Sequence, residues 1–107
     1  MVDIERLSAL SAELCRNENS LAEAAGRLCK AEHTRLIVLN KSKCAIADQV
    51  VAAGDKEPSD TKLEREARAT AAYAKACEEE ASAKAAYGLL LAAVHESERS
   101  YEIAKLS

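Results

Sequence analysis

The sequence predicts an all-α fold, an antiparallel hairpin of two long helices that pairs with a second copy into a four-helix bundle. Three observations predict it. Apolar residues recur at helical spacing from Val2 to Ala53 and again from Asp60 to Leu106. Between them, Gly54-Asp55-Lys56-Glu57-Pro58-Ser59 is the only stretch in which Pro and Gly both interrupt the chain. Finally, the 49% of hydrophobic residues is rich in alanine, with no Phe, no Trp and three Tyr. Burial stabilises by roughly 25 cal/mol per Å² of apolar surface, and alanine supplies little of it. A lone hairpin of this composition offsets its ordering entropy only narrowly, so self-association or a partner is expected.

The first helix is expected over about residues 3–53. Leu7, Leu14, Leu21 and Leu28 recur every seven residues and keep one stripe along it. The phase then slips by one residue, and Leu36, Leu39, Lys43, Ile46 and Val50 continue the stripe at steps of three and four. Asn17-Glu18-Asn19-Ser20 is its weakest point, because these residues favour caps and turns, and Glu23 stands at capping-box distance from Ser20. A kink or break over 17–20 is therefore the alternative to a continuous helix.

A turn over residues 54–60 follows, with Gly54 where a left-handed residue ends a helix. The second helix is expected over about 61–105, opened by a capping box, Thr61-Lys62-Leu63-Glu64, within a residue or two of Thr61. Tyr73, Tyr87 and Tyr101 recur every 14 residues, with Val94 midway between the last two, and form one stripe. A stripe of small residues runs beside it, through Leu63, Ala67, Ala74, Cys77, Ala81, Ala85 and Ala92. The whole chain, 1–107, reads as a single domain.

A turn centred near residue 57 makes residues whose numbers sum to about 114 face one another. This sets Gly26 against Gly88 and predicts close backbone approach there, since glycine inside a helix costs about 1 kcal/mol against alanine. It also sets Glu78, Glu79 and Glu80 against Thr34, Arg35 and Leu36, with Arg35 facing Glu79. Exposed pairs of this kind contribute only about 0–1 kcal/mol each, so their role is to select register.

Charge and composition exclude several classes. The formal charge of −3 is nearly balanced along the chain, leaving no global field for nucleic acid or an anionic membrane. No apolar run approaches a membrane span, and Met1-Val2-Asp3-Ile4-Glu5 lacks the basic and apolar regions of a signal peptide, so a cytoplasmic protein is expected. Cys15, Cys29, Cys44 and Cys77 fit no zinc spacing and read as reduced thiols, with Cys15 and Cys29, each after a heptad leucine, behaving as small buried hydrophobes. No metal and no cofactor is called for.

Cys29 and His33 stand one helical turn apart, but nothing supplies an oxyanion hole or a pocket, and no enzymatic activity is expected. Arg27, Lys30, Arg35, Lys41 and Lys43 stand against one acid, Glu32, and form the candidate for a nucleic-acid accessory role; no aromatic residues interleave them to stack on bases. A solvated basic face is the simpler use of that segment. The tyrosine stripe, Tyr73, Tyr87, Val94 and Tyr101, is the leading candidate for binding a partner, since tyrosine joins large area to a polar tip. Core of the hairpin, contact between copies and contact with another protein are its three alternative uses.

From Leu63-Glu64-Arg65-Glu66-Ala67-Arg68 through Tyr73, Tyr87, Leu89-Leu90-Leu91 and Ser100-Tyr101-Glu102-Ile103, the second half resembles the small Ala/Glu-rich helical proteins of tailed-phage early regions. The resemblance implies a bacterial cytoplasmic setting and a task performed by binding, such as inhibiting a host nuclease or defence complex. It carries over no functional residue. The functional expectation is thus a non-catalytic protein-interaction module, a homodimer with a further protein partner, with nucleic-acid binding through residues 27–43 as the alternative.

Overall fold

The computed structural model describes residues 3–106, and within them the chain is helical apart from its connections. Three helices follow in order: α1 (Ile4–Ala52), α2 (Asp60–Arg68) and α3 (Ala71–Leu106). Contacts gather the chain into two compact units, Met1–Leu28 with Ala83–Ser107, and Cys29–Ser82.

In the first unit, the inward positions of α1 are Leu7, Leu10, Leu14, Asn17, Leu21, Ala24 and Leu28, all half-buried or buried. Those of α3 are Ala83, Tyr87, Leu90, Val94, Ser97, Tyr101 and Ala104. Both series alternate steps of three and four, the heptad geometry that keeps a seam between two helices. The leucine repeat therefore does form the inner face. Asn17 does not break α1: it turns inward and donates a hydrogen bond from Nδ2 to Ser97 Oγ at 2.7 Å. With a partner across the seam, its side chain has no need to capture its own backbone, which is how asparagine ends helices. The numbers 17 and 97 sum to 114, the register expected from the turn.

Gly26 and Gly88 belong to this unit, but the close approach expected of them does not occur. Both are exposed, and a Cβ built at either would meet nothing within 4 Å. The reason is phase. Ala24, 1% exposed, holds the inward position, and Gly26, two residues on at about 100° per residue, points away.

In the second unit, α1 ends in a Schellman motif. Asp55 N–H donates to Val50 O at 3.2 Å, Gly54 N–H donates to Val51 O at 3.0 Å, and Gly54 takes φ +86°. α2 opens one residue before the expected start. Its cap is Ser59, in an extended conformation, whose Oγ accepts from Lys62 N–H at 3.3 Å, so Thr61 lies inside the first turn instead of capping it. Leu63 and Ala67 of α2 are buried, as is Leu39 of α1. Leu36, expected in the same stripe, is 48% exposed, because the inward face continues from Leu28 through Arg35, seven residues on, to Leu39.

The single second helix expected over 61–105 is two helices. Ala69 N–H bonds to Glu66 O at 3.1 Å and Thr70 N–H to Ala67 O at 3.2 Å, closing α2 with a tight turn. The Thr70 hydroxyl then serves both ends. It donates to Ala67 O at 2.7 Å and accepts from Tyr73 N–H at 3.2 Å, capping α3. The break changes which face is inside. An uninterrupted helix through Leu63 and Ala67 would bury Ala74 and Ala81; instead Ala76 is buried, Tyr73 and Glu80 are half-buried, and Ala74, Ala81, Ala85 and Ala92 are exposed. Beyond Ala67 the small-residue stripe thus lies outside except at Cys77, which is half-buried. Thr70→Ala removes both bonds and is expected to destabilise the protein by about 1 kcal/mol, the usual effect of losing a cap. Chemical denaturation followed by circular dichroism checks this, and an unchanged midpoint would show that the two helices do not depend on the hydroxyl.

Candidate interaction surface

The tyrosine stripe occupies inward heptad positions. Val94 is 4% exposed, and Tyr73, Tyr87 and Tyr101 are half-buried, each with part of its ring still reaching solvent. At the end of α3 the Lys105 ammonium sits 5.0 Å from the Tyr101 ring centroid, in cation–π range.

In the second unit Tyr73 joins a polar cluster. The Arg35 guanidinium pairs with Glu80 beside Tyr73, and side-chain hydrogen bonding to these partners, Tyr73 first, raises its pKa above the usual arginine value. The side chains of Arg35 and Glu80 are only 28% and 23% exposed. The expected partner was Glu79, one residue earlier. Glu80 takes the role because it falls between Ala76 and Ala83 on the inward heptad, while Glu79 points to solvent. A charge pair at such a position favours the register that unites it and penalises those that bury either charge alone.

Of the five basic residues of the 27–43 segment, two are thereby engaged. Arg35 is paired with Glu80, and Lys43 Nζ lies 2.7 Å from Asp60 Oδ1 at the start of α2. Arg27, Lys30 and Lys41 are exposed.

The Lys43 contact has a pH signature. Its hydrogen bond to Asp60 outweighs desolvation and raises the lysine pKa above 10.5. Folding therefore favours the protonated amine. The contribution is fully present below the unfolded value and fades as pH rises through the raised one. Compared with Lys43→Met, the native chain is expected to hold a constant advantage in melting temperature up to about pH 10, and to lose it in more alkaline solution. A gap that widens with pH would contradict the ion pair.

Cys15, Cys29 and Cys44 are exposed and Cys77 is half-buried, all four as free thiols. The burial expected for Cys15 and Cys29 fails for a geometric reason: the position after an inward leucine lies about 100° around the helix from it. His33 and Cys29 are both on the outside of α1. Among the described residues no group of three or more His, Cys, Asp or Glu side chains is placed to hold a metal ion, and no helix is long and apolar enough to cross a membrane.

What composition did not reveal is where the large apolar side chains go. Among the described residues the buried hydrophobic set is Ala24, Leu39, Leu63, Ala67, Ala76, Val94 and Ala104, of which four are alanines. Leu36, Ile37 and Val51 in one unit, and Ile4, Leu89, Ile103 and Leu106 in the other, are at least 40% exposed. Among the described residues seven large aliphatic side chains are thus exposed, against three, Leu39, Leu63 and Val94, that are buried, while the inward Leu7, Leu10, Leu14, Leu21, Leu28 and Leu90 are half-buried. The chain matches no protein-family model, no curated protein and no solved structure.

Proposed function

We propose that this chain is a non-catalytic helical module that works by associating with proteins, beginning with a second copy of itself. The observation that carries the reading is the set of large apolar side chains left at least 40% exposed, Ile4, Leu36, Ile37, Val51, Leu89, Ile103 and Leu106, beside only three among the described residues, Leu39, Leu63 and Val94, that are buried. Isolated exposed leucines are ordinary, but exposed apolar residues that share one helix face, as Ile37 and Val51 do two heptads apart, mark surface that another molecule covers. The tyrosine rings, on inward positions with an edge in solvent, hold each unit together and contribute at most a margin to a partner. The free, largely exposed thiols fit a reducing, cytoplasmic setting.

As to the partner beyond a second copy, the likeness of the second half to phage early-region proteins supports a host nuclease or defence complex. Inhibition by occlusion is the mode open to a helical surface without reactive groups.

Light scattering across a concentration series tests the first part. A molar mass rising from one chain toward two is expected, and one chain at every concentration would refute self-association. Tyr87→Ala separates the roles of the stripe. A lower melting temperature with undiminished association supports the interior role, whereas lost association with an unchanged melt makes the tyrosines the interface.

A further inference from the structure

We infer that the second copy docks on the outer stripe of α1 formed by Ile37, Cys44 and Val51, with the two α1 helices antiparallel about a two-fold axis at Cys44. The inference rests on the self-association just proposed and adds the surface, the orientation and the register. All three residues are exposed, Ile37 at 40% and Val51 at 54%. Spaced by seven, they drift only about 20° per step and form one nearly straight stripe. Leu39 and Ile46, which face inward, are about two residues of rotation away from Ile37 and Cys44, so the stripe lies on the side of α1 opposite its packed face.

The orientation follows from symmetry and charge. Residues 37 and 51 are equidistant from 44. An antiparallel pair centred there sets Ile37 against Val51 of the second copy and Val51 against its Ile37, so that each apolar side chain meets another. Flanking the stripe, Lys41 and Asp48 are exposed, and neither belongs to the ion pairs formed among the described residues. Since 41 and 48 also lie nearly symmetrically about 44, the same axis brings Lys41 beside Asp48 of the second copy, twice over. A parallel pair would instead align Lys41 with Lys41 and Asp48 with Asp48, which repel. The face is therefore self-complementary in one orientation and self-repelling in the other, as an isologous interface requires. Four turns of helix cover less than the roughly 800 Å² per partner of a standard interface, so the dimer is reversible and concentration-dependent.

Cysteine position tests this directly. In a chain carrying Cys15→Ser, Cys29→Ser and Cys77→Ser, Cys44 is the sole thiol and lies on the axis. A short bis-maleimide, each of whose rings adds one thiolate across its double bond without any oxidant, is expected to join two chains through Cys44 at concentrations where light scattering reports a dimer. With Cys44→Ser added, Ile37→Cys alone is expected not to cross-link, but to do so when mixed with the corresponding Val51→Cys chain. Lys41→Glu is expected to abolish the cross-link and Lys41→Glu with Asp48→Lys to restore it, circular dichroism verifying helicity throughout. A dimeric mass without the Cys44 cross-link, or homodimers joined through Ile37→Cys, overturns this interface while leaving self-association intact. A monomeric mass at every concentration overturns both.

Discussion

Replacing Gly26 and Gly88 together by alanine is expected to stabilise the protein by about 2 kcal/mol, close to 1 kcal/mol at each site. Both positions are helical and exposed, and a Cβ at either meets no atom within 4 Å. Alanine therefore introduces no clash while removing the backbone freedom that glycine loses on folding. For a chain of this size the gain corresponds to roughly 8 °C or more in melting temperature. The two effects should add, since nothing stands between a new methyl group and solvent at either site. A melt followed by circular dichroism on both single variants and the double one provides the check. Unchanged or lowered melting temperatures would mean that the helices approach one another at these glycines, contrary to the geometry.

Converting the Asn17–Ser97 layer to leucine and alanine is expected to stabilise the protein as well, by about 1–2 kcal/mol, and to loosen its register. Ser97 is 7% exposed and its hydroxyl accepts the Asn17 amide at 2.7 Å, in a seam otherwise composed of Leu, Ala, Val and Tyr. A neutral hydrogen bond contributes only about 1 kcal/mol net, whereas burying a leucine side chain contributes roughly 1.5–3 kcal/mol. Asn17→Ala alone should have the opposite sign. It leaves the serine without its partner, a loss of about 1 kcal/mol at the low end of the penalty range, because the adjoining groove lined by Glu13, Glu96 and Ser100 is polar and admits water. Urea denaturation of the single and double variants separates the two effects. If Asn17→Leu with Ser97→Ala proves less stable than the native chain, the polar layer contributes more than its single bond. The asparagine would then be retained for alignment, the part a lone polar residue plays in a helical seam.

Much of the architecture is legible because it is local. The leucine heptads, the Gly54 stop and the pause before Asp60 each act within a few residues, and the register that the turn implies is met at Asn17 and Ser97 and missed by one at Arg35 and Glu80. What escapes depends on rotation about the helix axis. The break after Arg68 carries no glycine or proline; its signal is one hydroxyl, that of Thr70, among alanines. Missing it keeps Ala74 and Ala81 on the inside, where Ala76 and Glu80 belong. Cys15, Cys29, Gly26 and Leu36 lie outside the core for a related reason: each is one or two residues from an inward position, and that small offset separates core from solvent. The outer stripe of Ile37, Cys44 and Val51 was legible as a spacing of seven, but the stronger leucine repeat on the same helix masks it.

The seam at Thr70 also governs which changes of length the chain can absorb. In an unbroken helix, one added residue turns everything beyond it by about 100°, so that Val94, Ser97 and Ala104 would leave their inward positions together. The tight turn between Arg68 and Ala71 is a place where rotation is already lost and recovered. An alanine inserted there can be taken up by the turn, while the same insertion at Ala92 cannot. A change of length in α2 is in this way kept from turning the inner face of α3 out of step.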